Sequence, residues 1–241
     1  MPVTQKLRCV IDRLVAHGEG VYTLTLRPEY QVPRFRAGQF LHLALDPYDP
    51  SAFWPESRVF SIASPPAQRD AVRITYAVHG PFTARMERDL AEGSEVWIKM
   101  PYGDFVIDNR VDVVLFAGGT GITAFTAFLE DLAPSERRSV TLAYGARTSG
   151  LLIYRDVLER CVARLPSLDV SYFVEGEGDG PLPVFPVKTG RVSVAAVWPR
   201  LPRPLEAAYY ISGPPPMLRA IREDLRSRDV PAEAIHIDAW E

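Results

Sequence analysis

The chain has 241 residues, 47% of them hydrophobic and 24% charged, enough apolar material for a sizeable core in one large domain or two small ones. A net charge of −3 and a sequence pI near 5.9 argue against nucleic acid as a partner, which needs clustered Lys and Arg, and the chain has neither an apolar run of the roughly 18 residues a membrane span needs nor an N-terminal secretory h-region. The two cysteines, Cys9 and Cys161, form no CxxC pair and no metal cluster, so they read as isolated structural thiols in a reducing compartment, the cytoplasm.

The first hundred residues read as short strands rich in Val, Ile, Phe, Tyr and Thr and broken by Gly and Pro. The expected strands are 6–15, 21–26, 39–45, 58–63, 72–78 and 95–99, with one helix at 82–90. This pattern suits a small antiparallel β-barrel. After Pro101-Tyr102-Gly103 the pattern changes to alternating strands and helices. A continuous apolar strand at 111–117 runs into glycines and a helix at 122–132. A strand at 139–144, a helix at 152–163, a strand at 169–174 and a helix at 192–197 follow, then a strand at 207–212, a helix at 215–227 and a last strand at 234–239. Buried strands alternating with helices imply a doubly wound parallel sheet. The boundary falls near 107–110, giving domains 1–108 and 109–241.

The segment Ala117-Gly118-Gly119-Thr120-Gly121-Ile122-Thr123-Ala124 follows an apolar strand and opens a helix. Glycines there let backbone amides approach a phosphate, and the helix N-terminus adds donors and a favourable dipole. Gly119, Gly121 and Ala124 fit G-x-G-x-x-G/A, a pattern that by itself also describes a plain tight turn. The acid that an ordinary dinucleotide fold places about twenty residues further on is absent, since the next strand ends in Tyr144-Gly145-Ala146-Arg147. The ribose must therefore be held elsewhere.

Six short motifs now stand in order. Arg58-Val59-Phe60-Ser61 resembles the R-x-[YF]-S flavin motif of the ferredoxin–NADP reductase superfamily. Gly80-Pro81-Phe82-Thr83 resembles its second flavin motif, preceded by Ala77-Val78-His79, and Pro101-Tyr102-Gly103 the segment that closes its barrel. Gly118 to Thr123 resembles its pyridine-nucleotide loop, while Tyr144 to Arg147 and Ser212-Gly213-Pro214-Pro215-Pro216-Met217 resemble its later nucleotide motifs. Taken singly, each has a plain reading: Phe60 a core aromatic, Ser61 a solvated strand residue, Arg58 a surface charge, Thr83 a helix cap, and the Pro214–Pro216 run a helix start. The ordered set, covering nearly the whole chain, points to function.

The resemblance implies an N-terminal flavin-binding barrel, a C-terminal NAD(P)H-binding domain, and hydride transfer from the nicotinamide of NADH, less readily NADPH, to N5 of bound FAD. Electrons would then pass to a separate acceptor, protein or small molecule. Arg58 would pair with a flavin phosphate, Phe60 would lie against the isoalloxazine, Val59 would be among the cofactor-binding residues, and Ser61 would donate to N5. Ala77 to Thr83 would hold the pyrophosphate side. Gly118, Gly119, Thr120 and Gly121 would seat the nicotinamide nucleotide together with Arg147, and Gly213, Pro214 and Pro215 would face its ring. Ser212 stands where the family often has cysteine, and Trp240 beside the terminal acid would shield the flavin or pack on the sheet. The segment Glu175-Gly176-Glu177-Gly178-Asp179-Gly180 offers acids and no cation, so Glu175 would meet the adenosine ribose and disfavour a 2′-phosphate; Arg147 and Lys188 are the cations that could act against it. Two other functions stay open: a reductase that uses free flavin as a substrate, and a catalytically silent nucleotide sensor.

Overall fold

The computed structural model describes residues 3–107, 111–176 and 187–238. The chain forms two compact units, Met1–Val106 and Ile107–Glu241.

The first unit is a six-stranded antiparallel near-barrel. Its strands are β1 (Gln5–Gly18), β2 (Val21–Pro28), β3 (Phe40–Ala44), β4 (Ser57–Ser61), β5 (Val72–Ala77) and β6 (Glu95–Tyr102), in the order β4-β3-β6-β1-β2-β5. The two end strands approach where the chain leaves β4: the Ala63 amide donates to the Arg73 carbonyl at 2.8 Å. Two-residue alternation turns Val72, Ile74 and Tyr76 of β5 and Val96, Ile98 and Met100 of β6 into one core. Helix α1 (Pro81–Asp89) sets Phe82 and Met86, one turn apart, onto that core. Cys9 lies inside it, and burial pushes its thiol up to about 12, which leaves it inert.

The second unit is a parallel sheet with strands β7 (Val113–Gly118), β8 (Val140–Ala146), β9 (Leu168–Val174), β10 (Val187–Thr189), β11 (Ala208–Ser212) and β12 (Ile235–Asp238), in the order β10-β9-β8-β7-β11-β12. Helices α2 (Thr123–Asp131), α3 (Arg155–Arg164) and α4 (Pro215–Ser227) make the crossovers. The order grows outward from β7 in one direction and then resumes at β11 on its other side. Since parallel crossovers are right-handed, α4 covers the face opposite α2 and α3. Leu218, Ile221 and Leu225 of α4 pack with Val114, Phe116, Tyr209 and Ile211. Seven consecutive residues of α2, Thr123 to Leu129, are buried, so it is a core helix rather than an amphipathic one.

The structure departs from the sequence expectation in two places. Residues 192–197 form turns, and only Trp198–Arg200 makes a short 3-10 turn. Val192, Val194 and Val197 are β-branched, Pro199 follows, and the side chains serve the core instead: Val194 and Val197 are fully buried. Strand β10 has only three residues and no periodicity to show it; it exists because it pairs with β9. The expected last strand ends at Asp238; Ala239, Trp240 and Glu241 lie outside the described residues, as do 108–110 at the expected domain boundary.

Candidate functional site

In the barrel unit, the first two flavin-like motifs come together. Alternation along β4 puts Arg58 and Phe60 on one side and Val59 and Ser61 on the other. Phe60 sits in the barrel core, edge-on to Tyr76 with ring centroids 6.3 Å apart. Arg58 reaches across to the start of α1, its guanidinium 5.0 Å from the Phe82 ring centroid. It also pairs with Glu56 at 2.9 Å, both side chains more than half exposed, a weak tether. Val59 faces His42 and Ser61 faces Phe40 on the neighbouring strand β3.

The loop from β5 into α1 is closed by Thr83. Its hydroxyl accepts from the His79 amide at 2.8 Å and donates to the Gly80 carbonyl at 3.3 Å. The Val78 amide is spent on the Gly20 carbonyl, which fixes Ala77 and Val78 at the strand end. Pro81 has no amide to offer at the first helical position, so Phe82 and Thr83 present the first-turn donors. Gly80 has φ of 153°, and a Cβ there would touch nothing within 4 Å. A guanidinium, open helix amides and free space at Gly80 form a donor set that fits a phosphate group, which is what a dinucleotide flavin would bring.

In the second unit, the sheet brings the fourth and sixth motifs together. The turns after β7 and β11 are adjacent because those strands pair, Ser212 opposite Ala117, and they flank the point where the strand order reverses. Open parallel sheets bind ligands in the crevice at that point. The glycines there divide the work. A Cβ on Gly121 would fall inside the Ser212 carbonyl and 2.8 Å from the Gly213 nitrogen; one on Gly118 would lie 2.9 Å from Pro214 Cδ and 2.5 Å from Met217 Sδ. These two are needed for close packing. Gly119 has φ of 54°, and a Cβ there would meet nothing within 4 Å. It alone faces open space with its backbone, beside half-buried Thr120, and that gap fits a nucleotide phosphate.

Ser212 is buried, and its hydroxyl donates to Asp238 Oδ2 at 2.8 Å, between register partners on β11 and β12. Gly213 leads to Pro214, and Pro215 and Pro216 fill the first turn of α4. Tyr144 and Ala146 are buried in β8, Gly145 lies under Val192, and Arg147 is exposed beyond the strand end. Trp240 and residues 177–180 of the acidic loop lie outside the described residues.

Glu175 has a partner that the six-residue segment does not contain. Arg191 Nε stands 3.0 Å from its carboxylate, sixteen positions along the chain. Only the pairing of β10 with β9 places Arg191 there, so the sequence carried no signal for it. Lys188 is on β10; its ammonium lies 5.4 Å from the Phe173 ring centroid and 3.5 Å from the Ala196 carbonyl. Asp238, the partner of Ser212, lies 26 positions further on in the terminal strand, and no local pattern in the sequence signals that contact.

Among the described residues, no cluster of His, Cys, Asp or Glu could hold a metal ion, and no helix is long and apolar enough to cross a membrane.

Comparison with known proteins agrees with this fold. Residues 115–223 match the oxidoreductase NAD-binding domain. The chain is 29% identical over 218 residues to the reductase component DmpP of phenol 2-monooxygenase from Pseudomonas sp. (strain CF600), an alignment covering 88% of this chain and 59% of that protein. It superposes on the flavohem-like FAD/NAD binding domain of nitric oxide dioxygenase from Vibrio cholerae O1 biovar El Tor with a TM-score of 0.82 at 18% identity, over 97% of this chain and 98% of that one. A flavohemoglobin from Malassezia yamatoensis, solved with bound FAD and heme, superposes with a TM-score of 0.77 at 22% identity, over 98% of this chain and 60% of that one.

Proposed function

We propose that this chain, a flavin- and nicotinamide-nucleotide-binding reductase module of the ferredoxin–NADP reductase kind, oxidises NADH in preference to NADPH and delivers the electrons to a separate protein. The observation that carries the reading is the meeting of the Gly118–Gly121 and Ser212–Pro214 turns at the reversal point of the parallel sheet. It is the arrangement a bound pyridine nucleotide needs.

FAD, when bound, supplies the redox chemistry by accepting hydride and releasing electrons. The protein's part is to bind and orient. Arg58 and the first-turn amides of α1 would hold the flavin phosphates, and Ser61 would offer its hydroxyl to N5 with Val59 on the same side of β4; Phe60, packed in the barrel core against Tyr76, supports that strand from within rather than serving as the platform the motif implied. Gly119 and Thr120 admit the nucleotide phosphates. Ser212, held by Asp238, and the Gly213–Pro215 turn form the wall beside the nicotinamide. Glu175 takes the adenosine ribose through its hydroxyls and repels a 2′-phosphate. The reductase component of phenol 2-monooxygenase, of which this chain spans 59%, supports an oxygenase component as the acceptor. Two buried free thiols suit the reducing cytoplasm.

The test is kcat/KM for NADH and NADPH with an artificial acceptor, together with the flavin released from the purified protein by heat. We expect FAD, and an NADH preference of at least about tenfold, or about 1.4 kcal/mol. Recovery of FMN alone, or a preference for NADPH, refutes the corresponding half of the proposal.

A further inference from the structure

The backbone around Glu175 is pinned on two sides. The Glu175 amide donates to the Ala146 and Arg147 carbonyls at 3.3 and 3.2 Å, and the Gly176 amide to the Arg147 carbonyl at 3.0 Å. On the other side the Gly190 amide donates to the Val174 carbonyl at 2.7 Å. Thr189 sits opposite Val174 in the β9–β10 register. Glu175 and Arg191 therefore leave the carboxyl ends of neighbouring strands from fixed points, one residue beyond Val174 and one beyond Gly190. Their meeting, Nε to carboxylate at 3.0 Å, is a consequence of the sheet and not of a wandering surface chain.

The pair is exposed, with 82% of the Arg191 side chain and 45% of the Glu175 side chain open to solvent. An exposed pair is held weakly. Arg191 can therefore exchange the carboxylate for a stronger anion at little cost. A phosphate dianion is such an anion, and a guanidinium matches it through two donors.

We propose that Arg191 is a second specificity residue whose effect opposes that of Glu175, so that the Glu175–Arg191 pair is a charge-balanced selector which keeps NADPH as a secondary substrate. The inference rests on the reading of Glu175 as the ribose contact. With NADH, the carboxylate accepts from the ribose hydroxyls while Arg191 stays on its other lone pairs. With NADPH, Arg191 turns to the 2′-phosphate and offsets the repulsion from Glu175. Each residue alone would give a sharper enzyme: the acid a strict NADH user, the arginine an NADPH user.

The test is calorimetry of adenosine 2′,5′-bisphosphate and 5′-AMP binding to the flavin-loaded protein, for wild type, Arg191→Gln, Glu175→Gln and the double variant, with kcat/KM for both nucleotides alongside. Arg191→Gln should weaken the bisphosphate about tenfold, the size of one charge-assisted contact, leave 5′-AMP unchanged, and widen the NADH preference equally. Glu175→Gln should tighten the bisphosphate. In the double variant that gain should vanish, and Arg191→Lys should restore part of the wild-type affinity. If Arg191→Gln leaves bisphosphate affinity unchanged in both backgrounds, the selector is refuted. A wild-type preference for NADPH would instead sink the NADH reading, and the dependence of bisphosphate binding on Arg191 would still be measured. Both side chains are exposed and end no helix, so unchanged thermal midpoints are expected for every variant.

Discussion

Alanine at Gly121 and at Gly119 should separate the packing role of the 118–121 glycine loop from its proposed nucleotide-binding role. At Gly121 the new Cβ would lie 2.5 Å from the Ser212 carbonyl carbon and 2.8 Å from the Gly213 nitrogen. All of the obstructing atoms are backbone, so relief requires β11 or the start of α2 to shift. Overpacking of this kind costs about 1–3 kcal/mol. In a chain of this size each kcal/mol lowers Tm by about 2–4 °C, so a fall of roughly 2–12 °C is expected. At Gly119 the Cβ would meet nothing within 4 Å, and the cost is confined to the left-handed φ of 54°, about 1–2 kcal/mol for a residue with a side chain. Both variants should lose nucleotide affinity, Gly121→Ala because the crevice is displaced and Gly119→Ala because the methyl enters the space a phosphate needs. The assay is thermal unfolding followed by circular dichroism, with NADH binding measured on the same samples. Gly121→Ala should be the less stable protein. If Gly119→Ala is the less stable, or Gly121→Ala matches wild type in both measurements, the division of labour among these glycines is wrong.

Arg58→Ala should weaken FAD by tenfold to a hundredfold, about 1.5–3 kcal/mol, and leave Tm of the flavin-free protein nearly unchanged, because the ion pair with Glu56 is exposed; flavin content equal to wild type would remove Arg58 from the phosphate site. Ser61→Ala should retain flavin but slow its reduction in single-turnover stopped flow, and an unchanged rate would dismiss the hydroxyl. The third concerns the turn between α2 and β8. Hydrogen bonds from the Arg138 guanidinium, at 2.8 Å from Nε and shorter from Nη2, hold the Glu136 carboxyl at about 2. The folded-state pKa lies below the unfolded one, near 4.3, so this contribution is complete above about pH 5 and is lost as pH falls toward 2. The urea midpoint of Glu136→Gln should sit below that of wild type at pH 7, with the gap narrowing between pH 5 and 3; a gap independent of pH would show that Glu136 acts through its shape alone.

Much of this protein was legible before the fold was known, because local rules wrote it. Runs of Val, Ile, Phe, Tyr and Thr broken by Gly and Pro marked all six barrel strands to within a few residues, and the apolar run into Gly118 marked the central strand β7. Pro215 and Pro216 marked the start of α4, since they fit only a first helical turn. The ordered motifs named Arg58, Ser61, Gly119 and Ser212 as residues to watch, and the fold does place Arg58 beside Phe82 and the Ser212 turn beside the glycine loop. What sequence could not supply was anything set by pairing at a distance. The segment 192–197 reads as a short helix between two strands, yet burial of Val194 and Val197 in the core claims it for turns. Three residues at 187–189 are too few to show a period, and only the edge of β9 makes them a strand. That strand then carries Arg191 to Glu175, and the β11–β12 register carries Asp238 to Ser212. Along the chain those pairs are 16 and 26 positions apart. Hydrogen bonding between parallel strands, which ignores sequence separation, is what decides which charges face each other at the end of this sheet.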